Sequence, residues 1–158
     1  MRIIVLSDSH GNARTVAEIL KNHREDAAAF IHLGDGMKEW MSLKRKFRDL
    51  PMYEVRGNCD GLCDVPAVRL LELGGFRLFC THGYLYSVKS ELDTLAYAAQ
   101  EQQADIALYG HTHVARQDEI GGVTLLNPGS VTFSSQTPRG YLVLDLVGKA
   151  VIPSFCEL

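Results

Sequence analysis

The chain has 158 residues, of which 46% are hydrophobic and 22% charged, and its net charge is -3. This length suits one domain with a sizeable core, so we expect a single domain over residues 1–158. No apolar segment is long enough for a membrane span or a signal peptide, and we expect a cytoplasmic protein without membrane association. The acidic balance also argues against stable nucleic-acid binding, which relies on clustered Lys and Arg.

The first half of the chain alternates predicted strands and helices. Three apolar runs, at residues 2–7, 28–33 and 52–55, predict β-strands. The two stretches between them carry apolar residues at helical spacing, which predicts a helix in each. Strands that alternate with helices favour a largely parallel sheet with helices on its face.

The second half is richer in antiparallel β-structure. Runs at residues 65–73 and 76–81 flank two glycines and predict a hairpin. A helix is predicted to begin at a Ser90 cap, and a strand at residues 105–109 follows it. Further strands are predicted at residues 115–120, 123–126, 140–146 and 150–155. The two halves together predict an α/β fold with α+β character, a four-layer αββα sandwich of two mixed β-sheets flanked by helices.

Cysteine and histidine residues outside the strand ends are assigned to structure. The four cysteines show no paired framework, and Cys80 and Cys156 are predicted core residues. His23 falls on the apolar side of the first helix. His32 lies within the second strand, with the alternative that it orients the nearby Asp35.

Side chains able to bind a metal cluster in five short segments, each at the end of a predicted strand. One such segment alone is a weak signal, because an Asp before a Gly is usually a turn residue and a lone His is usually structural. The ordered series, with oxygen and nitrogen donors and almost no sulfur, indicates a metalloenzyme and suits Mn, Fe or Zn. Its members are Asp8, His10, Asp35, Asn58, His82, His111 and His113.

The local spacing of these residues suggests how they converge. Asp8 and His10 are separated by one residue, as are His111 and His113. In an extended segment, residues i and i+2 face the same side, so we expect that Asp8 and His10 can both reach one ion. Asp35 lies between two glycines, which would let its carboxylate project and bridge two metals.

The series resembles the ordered motifs of the calcineurin-like metallophosphoesterases. The matching segments are Asp8-x-His10, Gly34-Asp35, Gly57-Asn58-Cys59-Asp60, His82-Gly83 and Gly110-His111-Thr112-His113. Asn127-Pro128-Gly129-Ser130 resembles a further signature of the small single-domain prokaryotic phosphodiesterases of this family. The resemblance implies two metal ions that share Asp35. One would be held by Asp8, His10, Asp35 and His113, and the other by Asp35, Asn58, His82 and His111.

The activity that this resemblance implies is hydrolysis of a small phosphodiester by a metal-bound hydroxide, without a covalent enzyme intermediate. Two divalent ions are expected, with Mn²⁺ as the first choice and Fe, Ni or Zn as alternatives. Asn58, Cys59, Asp60 and His82 are assigned to catalysis, and Asn12 to substrate binding. Asp60 would orient a ligand or Cys59, or be a simple turn residue. A homodimer or homotetramer is a plausible assembly for a small domain with edge strands.

Cys59 departs from the family pattern, since many members carry His at this position, near the leaving group. A thiol is a weak hydrogen-bond donor without positive charge. Its presence should disfavour dianionic monoesters more than monoanionic diesters, so we favour phosphodiester hydrolysis.

Three alternatives remain open. One is a phosphomonoesterase acting on small phosphates. Another is a non-catalytic interaction scaffold of the same fold, as in the eukaryotic retromer coat. A single-zinc hydrolase would need only three protein ligands, fewer than the sequence offers.

Overall fold

The computed structural model describes residues 1–133 and 135–158, in which ten β-strands and three α-helices are found. The helices are α1 (Ala13–Asn22), α2 (Met37–Lys46) and α3 (Asp93–Glu101), and a 3₁₀ turn spans Tyr84–Tyr86. The strands are β1 (Arg2–Leu6), β2 (Ala29–His32), β3 (Met52–Glu54), β4 (Val68–Leu73), β5 (Phe76–Thr81), β6 (Ile106–Leu108), β7 (Ala115–Ile120), β8 (Val123–Pro128), β9 (Gly140–Val147) and β10 (Ala150–Glu157). Among the described residues, no helix has the length and apolar character needed to cross a bilayer.

The strands form two five-stranded mixed sheets. The first sheet has the order β10-β9-β1-β2-β3, in which β1, β2 and β3 are parallel and β9 is antiparallel to both neighbours. The second has the order β4-β5-β6-β8-β7, in which β5, β6 and β8 are parallel and the edge strands β4 and β7 are antiparallel. This arrangement confirms the predicted α/β fold with two mixed sheets.

The alternation of side chains along β1 shows how the layers are packed. Ile3 and Val5 enter the core between the two sheets, whereas Ile4 and Leu6 contact the apolar faces of α1 and α2. All four are fully buried, and each contributes about 1.5–3 kcal/mol of hydrophobic stabilisation. The other sheet packs its outer face against α3. The layers therefore run helix, sheet, sheet, helix.

Several predicted details differ from the structure. The strand predicted from residue 65 begins at Val68. Ser90 does not cap α3, because the Glu91 carboxylate accepts the backbone N–H of Asp93 at 2.9 Å and satisfies the start of the helix instead. Cys80 is buried as predicted, but Cys156 on β10 is only partly buried.

The segments that carry the predicted ligands follow the carboxyl ends of β1, β2, β3, β5 and β6. Open α/β sheets commonly bind ligands at this edge. Backbone hydrogen bonds join the loops there: Asp8 N–H donates to the carbonyl of Gly34 and His10 N–H to that of Asp35, both at 3.0 Å. The two sheets thus bring five separate chain segments to one place.

Candidate metal centre

Five of the predicted ligands converge at this edge. Asp8 Oδ1 lies 3.0 Å from His113 Nε2 and 3.8 Å from His10 Nε2. Asp35 Oδ2 lies 3.3 Å from His82 Nε2 and 3.9 Å from His10 Nε2. His82 Nε2 is also 3.9 Å from Asp8 Oδ1. Carboxylate and imidazole donors from both sheets therefore surround one small volume, in overlapping groups that could each hold an ion.

Backbone carbonyls orient two of the histidines. His82 Nδ1 donates to the carbonyl oxygen of Leu33 at 2.8 Å, and His113 Nδ1 donates to that of Phe133 at 3.0 Å. With its proton on Nδ1, each neutral ring directs the lone pair of Nε2 towards the carboxylates. This outer hydrogen bond is the usual way in which proteins fix the tautomer of a metal-binding histidine.

The donor atoms of the centre lack a positive partner. Asp8 Oδ1 and His82 Nε2 are buried and make no aligned hydrogen bond within the described part of the chain. A carboxylate oxygen and an imidazole lone pair repel each other unless a cation lies between them. Asp8, Asp35 and the two oriented histidines therefore fit a divalent metal ion.

The contacts among these side chains also shift their pKa values. Burial alone would lower the pKa of His82, but Asp35 and Asp8 together raise it. Interaction with Asp8 likewise raises the pKa of His113 against the effect of burial. The pKa of Asp35 lies well below its usual range, because its contacts with His82 outweigh the opposing effect of burial.

The backbone at the centre adopts an unusual conformation. Of the seven described non-glycine residues with left-handed φ, five are predicted ligands. These are Asp8 (φ 55°), His10 (38°), Asp35 (56°), His111 (69°) and His113 (61°). Each such residue costs about 1–3 kcal/mol, which the surrounding structure must offset. The prediction of extended i, i+2 pairs is therefore wrong, because left-handed turns are what bring these donors together.

The two oxygens of Asp35 have different environments. Oδ1 accepts the backbone N–H of Cys59 at 2.8 Å, whereas Oδ2 faces His10 and His82. A Cβ atom at Gly57 would lie 2.1 Å from Oδ1, so only glycine permits this close approach. Oδ2 is consequently the oxygen that faces the histidine donor atoms of the centre.

His111 and Asn58 lie at the margin of the centre. The ring of His111 packs against that of His82, with the centroids 5.1 Å apart. Burial, assisted by the charges of His82 and Lys89, lowers the pKa of His111 to about 4, so this ring is neutral at neutral pH. Asn58 is exposed, and its amide nitrogen donates to Cys59 Sγ at 3.3 Å, which leaves the amide oxygen to act as a donor atom.

The remaining predicted site residues have local hydrogen-bonding roles. Asn12 Oδ1 accepts the backbone N–H of Thr15 at 3.2 Å and so caps α1. The Asp60 carboxylate accepts four backbone N–H groups and makes none of its described hydrogen bonds with Cys59. Burial, followed by interaction with Asp35, raises the pKa of the exposed Cys59 thiol. That thiol is therefore protonated at neutral pH.

A buried chain of hydrogen bonds next to the ligands was missed by the sequence reasoning. Gly34 N–H donates to His32 Nδ1 at 3.1 Å, which leaves the His32 proton on Nε2, 2.9 Å from Ser9 Oγ. The Ser9 hydroxyl donates to Glu39 Oε1 at 2.6 Å, and Gly11 N–H donates to the same oxygen at 2.7 Å. These hydrogen bonds connect the loop of Asp8 and His10 to β2 and α2. The only signal for it in the sequence was the position of Ser9 between two ligands.

Asn127 holds the loop that carries the last two histidines. Its side-chain nitrogen donates to the carbonyl of Gly110 and to Thr112 Oγ1, both at 3.0 Å, and its oxygen accepts Gly129 N–H at 2.9 Å. The segment suggested as a family signature thus supports the centre from behind. The strand predicted at residues 123–126 continues through Pro128.

Comparison with known proteins places this centre in a family. Residues 1–149 match the calcineurin-like phosphoesterase superfamily domain. The chain is 32% identical to the probable metallophosphoesterase YsnB of Bacillus subtilis, with 99% of this chain and 91% of the relative covered. It is 28% identical to the phosphodiesterase YfcE of Escherichia coli strain K12, with 92% and 88% covered.

Solved structures show the same architecture. A predicted phosphoesterase from Streptococcus pneumoniae superposes with a TM-score of 0.78 at 27% identity, covering 97% of this chain and 96% of the other. Zinc-bound wild-type Vps29 of Entamoeba histolytica superposes with a TM-score of 0.73 at 20% identity, covering 98% and 97%, a likeness of fold. From the match over residues 1–149, this chain belongs to the calcineurin-like phosphoesterase superfamily.

Proposed function

We propose that the protein hydrolyses phosphodiester bonds with the aid of two divalent metal ions, of which Mn²⁺ is the expected species. The observation that carries this proposal is the meeting of Asp8, Asp35 and His82 in a buried volume, where Asp8 Oδ1 and His82 Nε2 have no hydrogen-bond partner among the described residues. Such a group of hard and borderline donors suits Mn²⁺, Fe²⁺ or Zn²⁺.

The two ions would share Asp35. Its Oδ2 faces both His10 and His82, which belong to different ion sites in the proposed arrangement. One set of ligands is Asp8, His10, Asp35 and His113, and the other is Asp35, Asn58, His82 and His111.

Water is the nucleophile in this proposal, because neither nearby side-chain nucleophile is free to react. Ser9 is fully buried and its hydroxyl donates to Glu39. The raised pKa of Cys59 keeps its thiol protonated. When bound, two divalent ions lower the pKa of a water molecule and offset charge on the phosphate.

The chain itself positions the reacting groups. The carbonyls of Leu33 and Phe133 fix the rings of His82 and His113, and Cys59 N–H fixes the carboxylate of Asp35. The neutral thiol of Cys59 faces the same cavity as Asp35 and His10 and brings no positive charge to a leaving group there. This absence of charge favours monoanionic diesters over dianionic monoesters.

Hydrolysis by metal-reconstituted protein tests the proposal. Protein loaded with Mn²⁺ should cleave bis(4-nitrophenyl) phosphate faster than 4-nitrophenyl phosphate, and elemental analysis should find two ions per chain. Asp35→Ala should reduce the rate by more than the roughly 100-fold typical of losing an outer-shell partner. Asp64→Ala, at an exposed acid of the Cys59 loop, is the matched control. Activity that depends on neither the metal nor Asp35 would overturn the proposal.

An interaction scaffold is the second candidate, favoured by exposed apolar side chains beside the centre. Leu85, in the turn after His82, is 55% exposed, and Phe133, whose carbonyl holds His113, is 64% exposed. Exposed apolar patches often mark protein interfaces. This alternative expects metal binding without appreciable hydrolysis, an outcome that the same experiment distinguishes.

A further inference from the structure

Two separate cavities are lined by residues of the segments that carry the proposed ligands. One, of about 360 Å³, includes His10, Asp35 and Cys59 in its walls. The other, of about 300 Å³, includes Thr112, the residue between His111 and His113, and shares no lining residue with the first. We name the second the Lys89 cavity, and its other lining residues are Val88, Lys89, Tyr109, Val114, Arg116 and Gln136. A phosphodiester has two ester arms that must leave the phosphorus in different directions.

The two cavities differ in charge. The first is lined by the carboxylates of Asp35, Glu39 and Asp60, with Lys38 as its lysine. The described residues that line the Lys89 cavity include no carboxylate, and their two charged groups are cationic. The Lys89 cavity is therefore the more favourable place for a negative group.

Lys89 is the cation of this cavity that makes no ion pair among the described residues, although Glu91 and Asp93 line the adjoining cavity that it also borders. The Arg116 guanidinium makes a double contact with the carboxylate of Asp118, at 2.6 and 2.7 Å, so its charge is largely balanced. Lys89 is exposed, and its cavity is also lined by Thr112, which lies between the proposed ligands His111 and His113.

The backbone fixes the place of Lys89. Ser87 has a left-handed φ of 53°, and Ser90 N–H donates to the Ser87 carbonyl at 2.8 Å, which closes a tight turn around Lys89. The neighbouring Val88 is 5% exposed and anchors the turn in the core beneath α3. The ammonium group is thus carried on a constrained segment beside the centre.

Resting on the proposed diesterase function, we propose that the Lys89 cavity binds the ester arm that stays on phosphorus and that Lys89 recognises an anionic group on that arm. The leaving arm occupies the cavity beside Cys59. The side chains of Val88, Tyr109 and Val114 contact the carbon skeleton of the retained arm. The preferred substrates are therefore phosphodiesters that carry a second negative group, a carboxylate or a phosphate.

Substrates with a common leaving group test this assignment. The series consists of 4-nitrophenyl phosphodiesters whose second arm is an alkyl chain of graded length ending in a carboxamide, a carboxylate or a phosphate. Wild-type protein loaded with Mn²⁺ should show a kcat/KM about three- to tenfold higher for an anionic end than for the carboxamide. The anionic end that gives the higher kcat/KM, carboxylate or phosphate, identifies the group that Lys89 recognises.

Two matched variants separate a local site from general electrostatics. Lys89→Gln should abolish the preference for an anionic end, whereas Lys38→Gln, which removes an exposed lysine from the other cavity, should preserve it. Equal kcat/KM for charged and neutral ends in the wild type would overturn the proposal. If Lys89→Gln and Lys38→Gln lose the preference for an anionic end equally, the proposal is also overturned.

Binding of the hydrolysis products distinguishes failure of this proposal from failure of the proposed function. Calorimetric titration of Mn²⁺-loaded protein should show tighter binding of products with an anionic end, and Lys89→Gln should remove the difference. If no diester is cleaved but this difference is found, the cavity assignment stands and the diesterase proposal is wrong. If products with charged and neutral ends bind equally, the cavity assignment is wrong.

Discussion

Asp60 Oδ2 accepts the backbone N–H of Asp35 at 2.8 Å and, with the same atom, that of Gly57 at 2.7 Å. The other oxygen accepts Gly36 N–H at 2.8 Å and Met37 N–H at 2.9 Å, at the start of α2. One carboxylate therefore joins the segment that carries Asp35, the segment that carries the Asn58 amide and the positive end of a helix dipole. Asp60 orients the ligand loops through their backbones.

Replacing Asp60 by Asn should loosen the centre without removing a ligand. One carboxylate oxygen would become an amide nitrogen, which cannot accept a hydrogen bond from a backbone N–H. The two backbone hydrogen bonds to that atom are therefore lost. We expect the free energy of unfolding to fall by about 2–4 kcal/mol and the affinity for Mn²⁺ to fall about 10- to 100-fold. Urea titration and calorimetry measure the two effects, with Asp64→Asn as control. Wild-type Mn²⁺ affinity in Asp60→Asn would contradict the orienting role.

Ser9→Ala should weaken metal binding by breaking the buried chain between His32 and Glu39. Both partners would lose a hydrogen bond while staying buried. The expected cost is about 1–3 kcal/mol of stability and a roughly 10-fold or larger loss of Mn²⁺ affinity. Ser90→Ala, at an exposed serine, is the control. If the variant is less stable but binds Mn²⁺ normally, the hydrogen bonds of Ser9 have a purely structural role.

His32 should make the stability of the metal-free protein depend on pH. Burial lowers its pKa from 6.5 to about 4, so between these values the unfolded chain binds a proton that the folded protein does not. This residue's contribution is complete above pH 6.5 and is lost as the pH falls towards 4, by up to about 3 kcal/mol.

The contribution is measured as the difference in unfolding free energy between wild type and His32→Gln in the presence of a chelator. That difference should shrink as the pH falls, because other titrating groups are common to both proteins. A difference that is constant between pH 7 and 4 would show that the buried His32 does not stay neutral.

Cys59→His should shift the preference from diesters towards monoesters. The imidazole can carry the positive charge that the protonated thiol lacks, and this charge favours a dianionic substrate. We expect the ratio of monoester to diester kcat/KM to rise roughly tenfold or more. Cys63→His, in the same loop, is the control, and metal content verifies that the centre is intact. An unchanged ratio would show that the residue at position 59 does not set this preference.

The sequence was sufficient to locate the centre but not to describe its geometry. Apolar runs predicted the strands, and the ligands at their ends are brought together because parallel strands end at one edge. The left-handed conformation of Asp8 and His111 could not be predicted, since only the tertiary contacts around them offset its cost.

Contacts between segments that are distant in the sequence could not be predicted either. Ser9 meets His32 and Glu39 across separations of 23 and 30 residues, and a pattern along the chain carries no record of such a meeting. The sequence does not show that Lys89 lines a cavity, so no role could be predicted for its charge. Asp60 could be assigned an orienting role, but its four backbone partners belong to two loops that only the fold brings together.

The left-handed ligand residues also bear on how such a site would be lost. Glycine adopts this backbone conformation at little cost, so replacing Asp35 or His111 by glycine would relieve strain while removing a proposed metal ligand. Selection for stability alone would therefore tend to erase the centre residue by residue and leave the sandwich intact. The presence of all five strained side chains in one chain therefore supports the proposal that they bind metal ions.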